Sequence, residues 1–183
     1  MKRVLKVFLA LLFVPISLTA TSESPPYPKD YYPSVVGASA IVEIYHENEF
    51  KGIALIERGK APYGYAFPAG KVEYAESVED GVKRELREET NLSLYDVRQF
   101  HVYSDPDPDF RFALVEVSFL AKSNGHPVAG DDAAEAYIFA LEDIPKDKMI
   151  TRHQRILDDY LSYRKQMDDH ESEMDSCMLF PTK

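Results

Sequence analysis

An α+β layered domain is the expectation from three features of the sequence. Short apolar, partly β-branched stretches are bounded by turn residues, two segments carry helical periodicity, and 183 residues suit one ordinary domain with or without a leader. Taken in order, residues 35–44 and 52–57 read as paired strands, with the polar stretch 46–50 as the hairpin connection between them. Residues 65–67 and 71–73 flank Pro68-Ala69-Gly70, which reads as a tight turn. A helix follows between Ser77 and Asn91. Residues 94–103 and 112–121 are strand-like and are separated by a proline- and aspartate-rich loop. In the second of them Leu114, Val115, Val117, Phe119 and Leu120 are set among polar partners, as on a sheet. Residues 137–141 supply one more short strand. In 147–167, Ile156, Tyr160 and Met167 share a helical face with Leu157 and Leu161 beside them, which predicts an amphipathic helix.

The first residues read differently. Lys2, Arg3 and Lys6 precede an apolar run from Val7 to Leu18, the basic-then-apolar order of a secretory leader. That run is shorter than the roughly 20 residues needed to span a bilayer. A cleavable signal over residues 1–22 is therefore expected rather than a membrane anchor, with cleavage after Ser22 leaving small Ala20 three positions back. Residues 23–33, rich in Pro and Tyr, read as a linker, 34–167 as the domain, and 168–183 as a flexible acidic tail. A working leader makes the protein exported, periplasmic or secreted, and a silent one leaves it cytoplasmic.

Composition excludes some functions. With 31 acidic against 21 basic residues the net charge is −10, a field that repels nucleic-acid backbones, so no nucleic-acid partner is expected. Apolar residues at 45% and aromatics at 12% suffice to close a core. Cys177 is the only cysteine, so neither an intramolecular disulfide nor a cysteine-based zinc cluster can form, and any bound metal needs oxygen ligands. His101, His126, His153 and His170 sit at no metal-like spacing and read as ordinary polar residues.

The chemistry concentrates between Gly70 and Leu92. Ser77, with Asp80 three residues later, makes an approximate capping box at the start of the helix, and Asn91 suits the left-handed position that ends it. Val78, Val82 and Leu86 recur every four residues as a buried stripe, while Lys83 and Arg87 face solvent. Glu85, Glu88 and Glu89 stand at i, i+3 and i+4, so three carboxylates converge on one face, with Gly81 leaving room a turn earlier. Three like charges this close destabilise a helix unless a cation sits among them, and a divalent ion is the economical partner.

Gly70, Glu76, Arg84, Glu85, Leu86, Glu88 and Glu89 reproduce the order G-x5-E-x7-R-E-U-x-E-E, with U aliphatic. This resembles the signature of the Nudix hydrolase family, which continues x-G-U where this chain has Thr90, Asn91 and Leu92. At roughly one in fifteen for each of the six named residues, chance agreement is about one in ten million per starting position. The resemblance covers roughly residues 35–145. It implies a Nudix-like α/β/α sandwich with a mixed β-sheet and the motif as a loop-helix-loop. It further implies that Glu85, Glu88, Glu89 and the carbonyl of Ala69 hold Mg²⁺ or Mn²⁺ against a diphosphate, and that Arg84 fixes the motif glutamates, Glu76 among them. The implied reaction is metal-assisted attack of water on a nucleoside diphosphate linked to another group. Stretches 103–106 and 129–136 are similar to those of the ADP-ribose pyrophosphatase branch, although Phe110-Arg111-Phe112 replaces that branch's usual proline-arginine-histidine cluster. ADP-ribose, split into AMP and ribose 5-phosphate, is thus the expected substrate. The alternatives are a nucleoside diphosphate sugar, a nucleoside triphosphate, or a regulatory domain that binds nucleotide without turnover. In the family the general base often comes from an acidic residue on the loop before the last strand, which makes Glu135 the candidate, with Asp131 and Asp132 as alternatives. Arg58 could meet a substrate phosphate. Nudix proteins are often dimeric, and a homodimer is left open here. No stable membrane insertion is expected once the leader is cleaved.

Overall fold

The computed structural model describes residues 34–106, 113–130 and 133–178, with side chains described as far as residue 170. The leader, the linker, Arg111, Asp131 and Asp132 lie outside the described residues. Among the described residues seven strands and two long helices follow in the order β1 (Val35–His46), β2 (Glu49–Arg58), β3 (Tyr65–Ala66), β4 (Ala69–Lys71), α1 (Val78–Thr90), β5 (Tyr95–Tyr103), β6 (Leu114–Ser123), β7 (Ala133–Phe139) and α2 (Thr151–Met178). Two short 3₁₀ turns, Leu141–Asp143 and Lys146–Lys148, lie between β7 and α2.

The hairpin joining β1 to β2 is tighter than the stretch 46–50 suggests. Only Glu47 and Asn48 form the loop, both at positive φ (52° and 66°), the two-residue geometry whose twist matches that of the flanking strands. β1 and β6 run parallel over Val35–Ile44, and the other strand–strand ladders among the described residues are antiparallel, so the sheet is mixed. β1 and β2 pair from Val42 and Ala54 to the hairpin and then splay. Beyond the fork β1 takes β4 as its partner and β2 takes β3 on the freed edge, so the Tyr65–Lys71 segment fills the gap. Gly70 is consequently a strand residue paired with Ala38 rather than part of a tight turn, because the ladder to β1 captures the backbone that the sequence alone would fold back on itself.

Alternation along the strands separates two apolar layers. Ile41, Ile53, Leu55 and Leu120 pack with Ile156, Leu157 and Tyr160 of α2 on one face. Ala38, Ala40, Val42, Ala54 and Phe119 pack with Val82 and Leu86 of α1 on the other. The α/β/α sandwich follows from that period of two. β7 reaches back to Ala133, four residues before the expected strand, because Glu135 and Ala136 join the ladder opposite Glu57 and Ile56 of β2. α2 starts at Thr151, after the 3₁₀ turn over Lys146–Lys148, and continues to Met178, beyond the end at residue 167 that its periodicity suggested. Among the described residues no helix is long and apolar enough to cross a membrane.

Candidate active site

α1 begins and ends as its sequence requires. Ser77 accepts a hydrogen bond from the Asp80 amide at 3.1 Å, and Asn91 closes the helix in the left-handed conformation (φ 53°) with its amide on the Arg87 carbonyl. Val82 and Leu86 are buried against the sheet, and Lys83 and Arg87 are exposed. Helical spacing then fixes the acidic row: Glu89 is buried, Glu85 partly so, and Glu88 exposed.

Arg84 organises this row. Its Nε and one terminal nitrogen donate to both oxygens of Glu76 at 2.9 and 3.0 Å, a two-pronged grip. The other terminal nitrogen donates to Glu85 at 2.8 Å and to Glu88 at 3.1 Å, and the Lys71 carbonyl accepts a further bond at 2.9 Å. Hydrogen bonds from Arg84, then from the Glu73 amide, hold the Glu76 carboxyl below its ordinary value, and the same carboxylates push the Arg84 guanidinium upward. One cation thereby relieves the repulsion among three of the motif glutamates. The fourth, Glu89, accepts from the Ala69 amide at 2.9 Å.

Gly70 explains itself through Glu85. A Cβ on residue 70 would stand 1.9 Å from the Glu85 carboxyl carbon, so only glycine lets that carboxylate lie against β4. At the far end of α1, the Gly130 amide donates to the Glu89 carbonyl and the Val128 amide to the Thr90 carbonyl, tying the loop ahead of β7 to the helix terminus.

These residues wall a cleft of about 510 Å³ at the fork of the sheet. Glu85, Glu88, Glu89 and Arg84 come from α1, Ala69, Gly70 and Lys71 from β4, and Arg58 from the end of β2. Arg58 donates through Nε to the Pro62 carbonyl at 2.7 Å, which fixes its stem at the cleft wall. Glu76 stands behind the wall, gripping Arg84. Glu135 is not among the cleft residues: it is exposed on β7, in register with Glu57. One residue that spacing left as an ordinary polar histidine does line the cleft. His153, at the start of α2, is buried and faces Glu116 of β6, with Nε2 and Oε1 3.2 Å apart. No local pattern joins those two, since they meet only across the folded sheet.

The donors suit a hard divalent cation in kind, being carboxylates and a backbone carbonyl gathered in one cleft. Their present arrangement is not a closed shell. Among the described residues no three acidic or imidazole groups converge at metal-holding distances, because Glu85 and Glu88 lean on Arg84 and Glu89 on the Ala69 amide.

Comparison with known proteins agrees with this geometry. The NUDIX domain model matches residues 36–160. An ADP-ribose pyrophosphatase of Methanocaldococcus jannaschii is 38% identical over 115 residues, covering 61% of this chain and 67% of its own. The crystal structure of a MutT/nudix family protein from Enterococcus faecalis is 33% identical with a TM-score of 0.56, over 62% of this chain and 46% of that one, so this chain spans under half of that protein's length. The NUDIX domain of Shewanella oneidensis NrtR, solved with ADP ribose, shares the fold at 20% identity with a TM-score of 0.66, over 75% of this chain and 92% of that one. The spacing from Gly70 to Glu89, the arginine grip that holds it and the match over residues 36–160 agree: the chain belongs to the NUDIX domain family, a family of pyrophosphohydrolases.

Proposed function

We propose that the protein hydrolyses ADP-ribose to AMP and ribose 5-phosphate, with Mg²⁺ or Mn²⁺ as cofactor. The observation that carries the reading is the acidic row gathered in one cleft beside a cationic wall, with Glu85 and Glu88 held by the Arg84 grip and Glu89 by the Ala69 amide. The likeness to the Methanocaldococcus jannaschii pyrophosphatase supports the choice of substrate.

Nudix hydrolases generally use a divalent metal. Here Glu85, Glu88, Glu89 and the Ala69 carbonyl would hold it, and it would supply charge neutralisation to the diphosphate. The chain's own residues do the rest. Arg58, fixed at the wall, orients a phosphate by its remaining donors. Arg84 keeps the acidic row in place. Glu89, the most buried of the row, is the group best shielded from bulk water and is assigned to handling the attacking water's proton. Glu135, on the neighbouring strand and outside the cleft, serves this reading less well.

Full-length protein with Mg²⁺, ADP-ribose and chromatographic detection of AMP tests the reading. Release of AMP is expected, and ADP-ribose bound but left intact would favour a nucleotide-binding regulator. Export is part of the proposal as well, and N-terminal sequencing of mature protein should begin at Glu23.

A further inference from the structure

Beneath the cleft lies a buried charged group that α1 does not account for. Glu116 on β6 is 3% exposed yet contributes to the cleft floor. Its parallel register partner on β1 is Gly37, which brings no side chain to that face. Two residues along, Ser118 pairs with Ser39. Ser39 Oγ, Ser118 Oγ and Glu116 Oε1 are buried with no well-formed hydrogen bond among the described residues.

The carboxylate is nevertheless firmly placed. Oε1 stands 3.2 Å from Nε2 of His153, within hydrogen-bonding distance, and Oε2 3.7 Å from Nε of Arg152, in ion-pair range. His153 accepts the Phe67 amide on Nδ1 at 2.9 Å. An amide only donates, so that nitrogen carries no proton, and Nε2 is the one that faces Glu116 with a hydrogen. Arg152 is anchored in turn on the Tyr103 and Asp105 carbonyls, each at 2.9 Å. Burial opposes ionisation of Glu116, but His153, Ser39 and Arg152 outweigh it and hold the carboxyl below its ordinary value. At neutral pH the group is therefore an anion.

An anionic carboxylate accepts hydrogen bonds and repels phosphate oxygens. Of the parts of a nucleoside diphosphate derivative, the phosphates are repelled, and the donors that suit it are sugar hydroxyls and the amino group of the base. The phosphates have a better place, since Arg58, Lys60 and Lys71 line the other walls.

We propose that Glu116 is a specificity-determining residue, accepting a hydrogen bond from a hydroxyl of the group joined to the distal phosphate, and so selecting sugar-bearing diphosphates. This rests on the hydrolase reading above and adds the residue that reads the sugar. A site built to receive a hydroxyl rejects analogues lacking one, because its polar group is then left unpaired.

The test uses full-length protein, wild type and Glu116→Gln, against ADP-ribose and against an ADP ester carrying a plain alkyl group on the distal phosphate. For Glu116→Gln, KM and Kd for ADP-ribose should rise about tenfold with kcat little changed, the size of one charged hydrogen bond lost. Constants for the alkyl ester should stay level. Glu116→Asp, which keeps the charge beside Arg152 and shortens the reach, should show the same selective loss and guards against failure of the glutamine variant to fold. Equal losses on both ligands would take Glu116 off the distal group, leaving it structural or against the shared adenosine, and no loss on either would remove it from recognition; either result overturns the proposal. Should the wild type turn over neither compound, the hydrolase reading alone falls. The ratio of the two Kd values, measured by calorimetry in EDTA, would still decide the role of Glu116.

Discussion

The two helices cover opposite faces of one sheet and are stabilised by opposite means. α2 inserts Ile156, Leu157 and Tyr160 into the larger apolar layer. The buried apolar side chains of α1 are Val82 and Leu86, and another of its faces carries a row of carboxylates of which Glu89 is itself buried. Packing holds the first helix, whereas capping and the Arg84 grip hold the second against its own charge. A helix that carries chemistry keeps its polar face toward the ligand, so its stability must come from its ends and from a single cation.

The largest test of this contrast is on activity. Glu89→Gln and Arg84→Ala should each lower ADP-ribose turnover at least about a hundredfold, comparable to removing a group aimed at the developing transition-state charge. Melting temperature should change little in the glutamine variant, and turnover equal to wild type would remove Glu89 from its assigned role. EDTA should abolish activity, and either Mg²⁺ or Mn²⁺ should restore it.

Stability should respond in the other helix. Leu157→Ala leaves a cavity among Ile41, Leu55 and Ile156 and should cost about 2–5 kcal/mol by denaturant unfolding. Activity per folded molecule should be retained, and a loss confined to turnover would contradict the division of labour. At the cap, Ser77→Ala should cost about 1 kcal/mol, since the Asp80 amide loses its acceptor.

The smallest effect concerns pH. Arg84 holds the Glu76 carboxyl below its ordinary value, so the pair stabilises the fold above the ordinary carboxylate range and loses that contribution as pH falls through the lowered native value. In Arg84→Ala, Glu76 should titrate higher by NMR. An unchanged titration would mean that the Glu73 amide alone sets it.

Much of the site was legible because it lies within one helix. The spacing of Glu85, Glu88 and Glu89 becomes a shared face through helical geometry alone, and the caps at Ser77 and Asn91 are local as well. An α+β layered domain was readable from the alternation of strand-like and helical stretches, whereas the α/β/α order of the layers came from the family resemblance. Glu135 was misplaced as a loop residue because nothing local shows that β2 has a second edge for it to join.

Sequence by itself determined the acidic row and the caps of its helix, for these are separated by distances that helix geometry converts directly into neighbours, and it marked Gly70 and Arg84 through the family motif. Only the tertiary structure decided that β1 and β2 fork, that the Tyr65–Lys71 segment fills the fork, and that His153 meets Glu116 under it. Those pairings join residues far apart in the chain, and they arise from closing the sheet and docking α2, which no local pattern encodes.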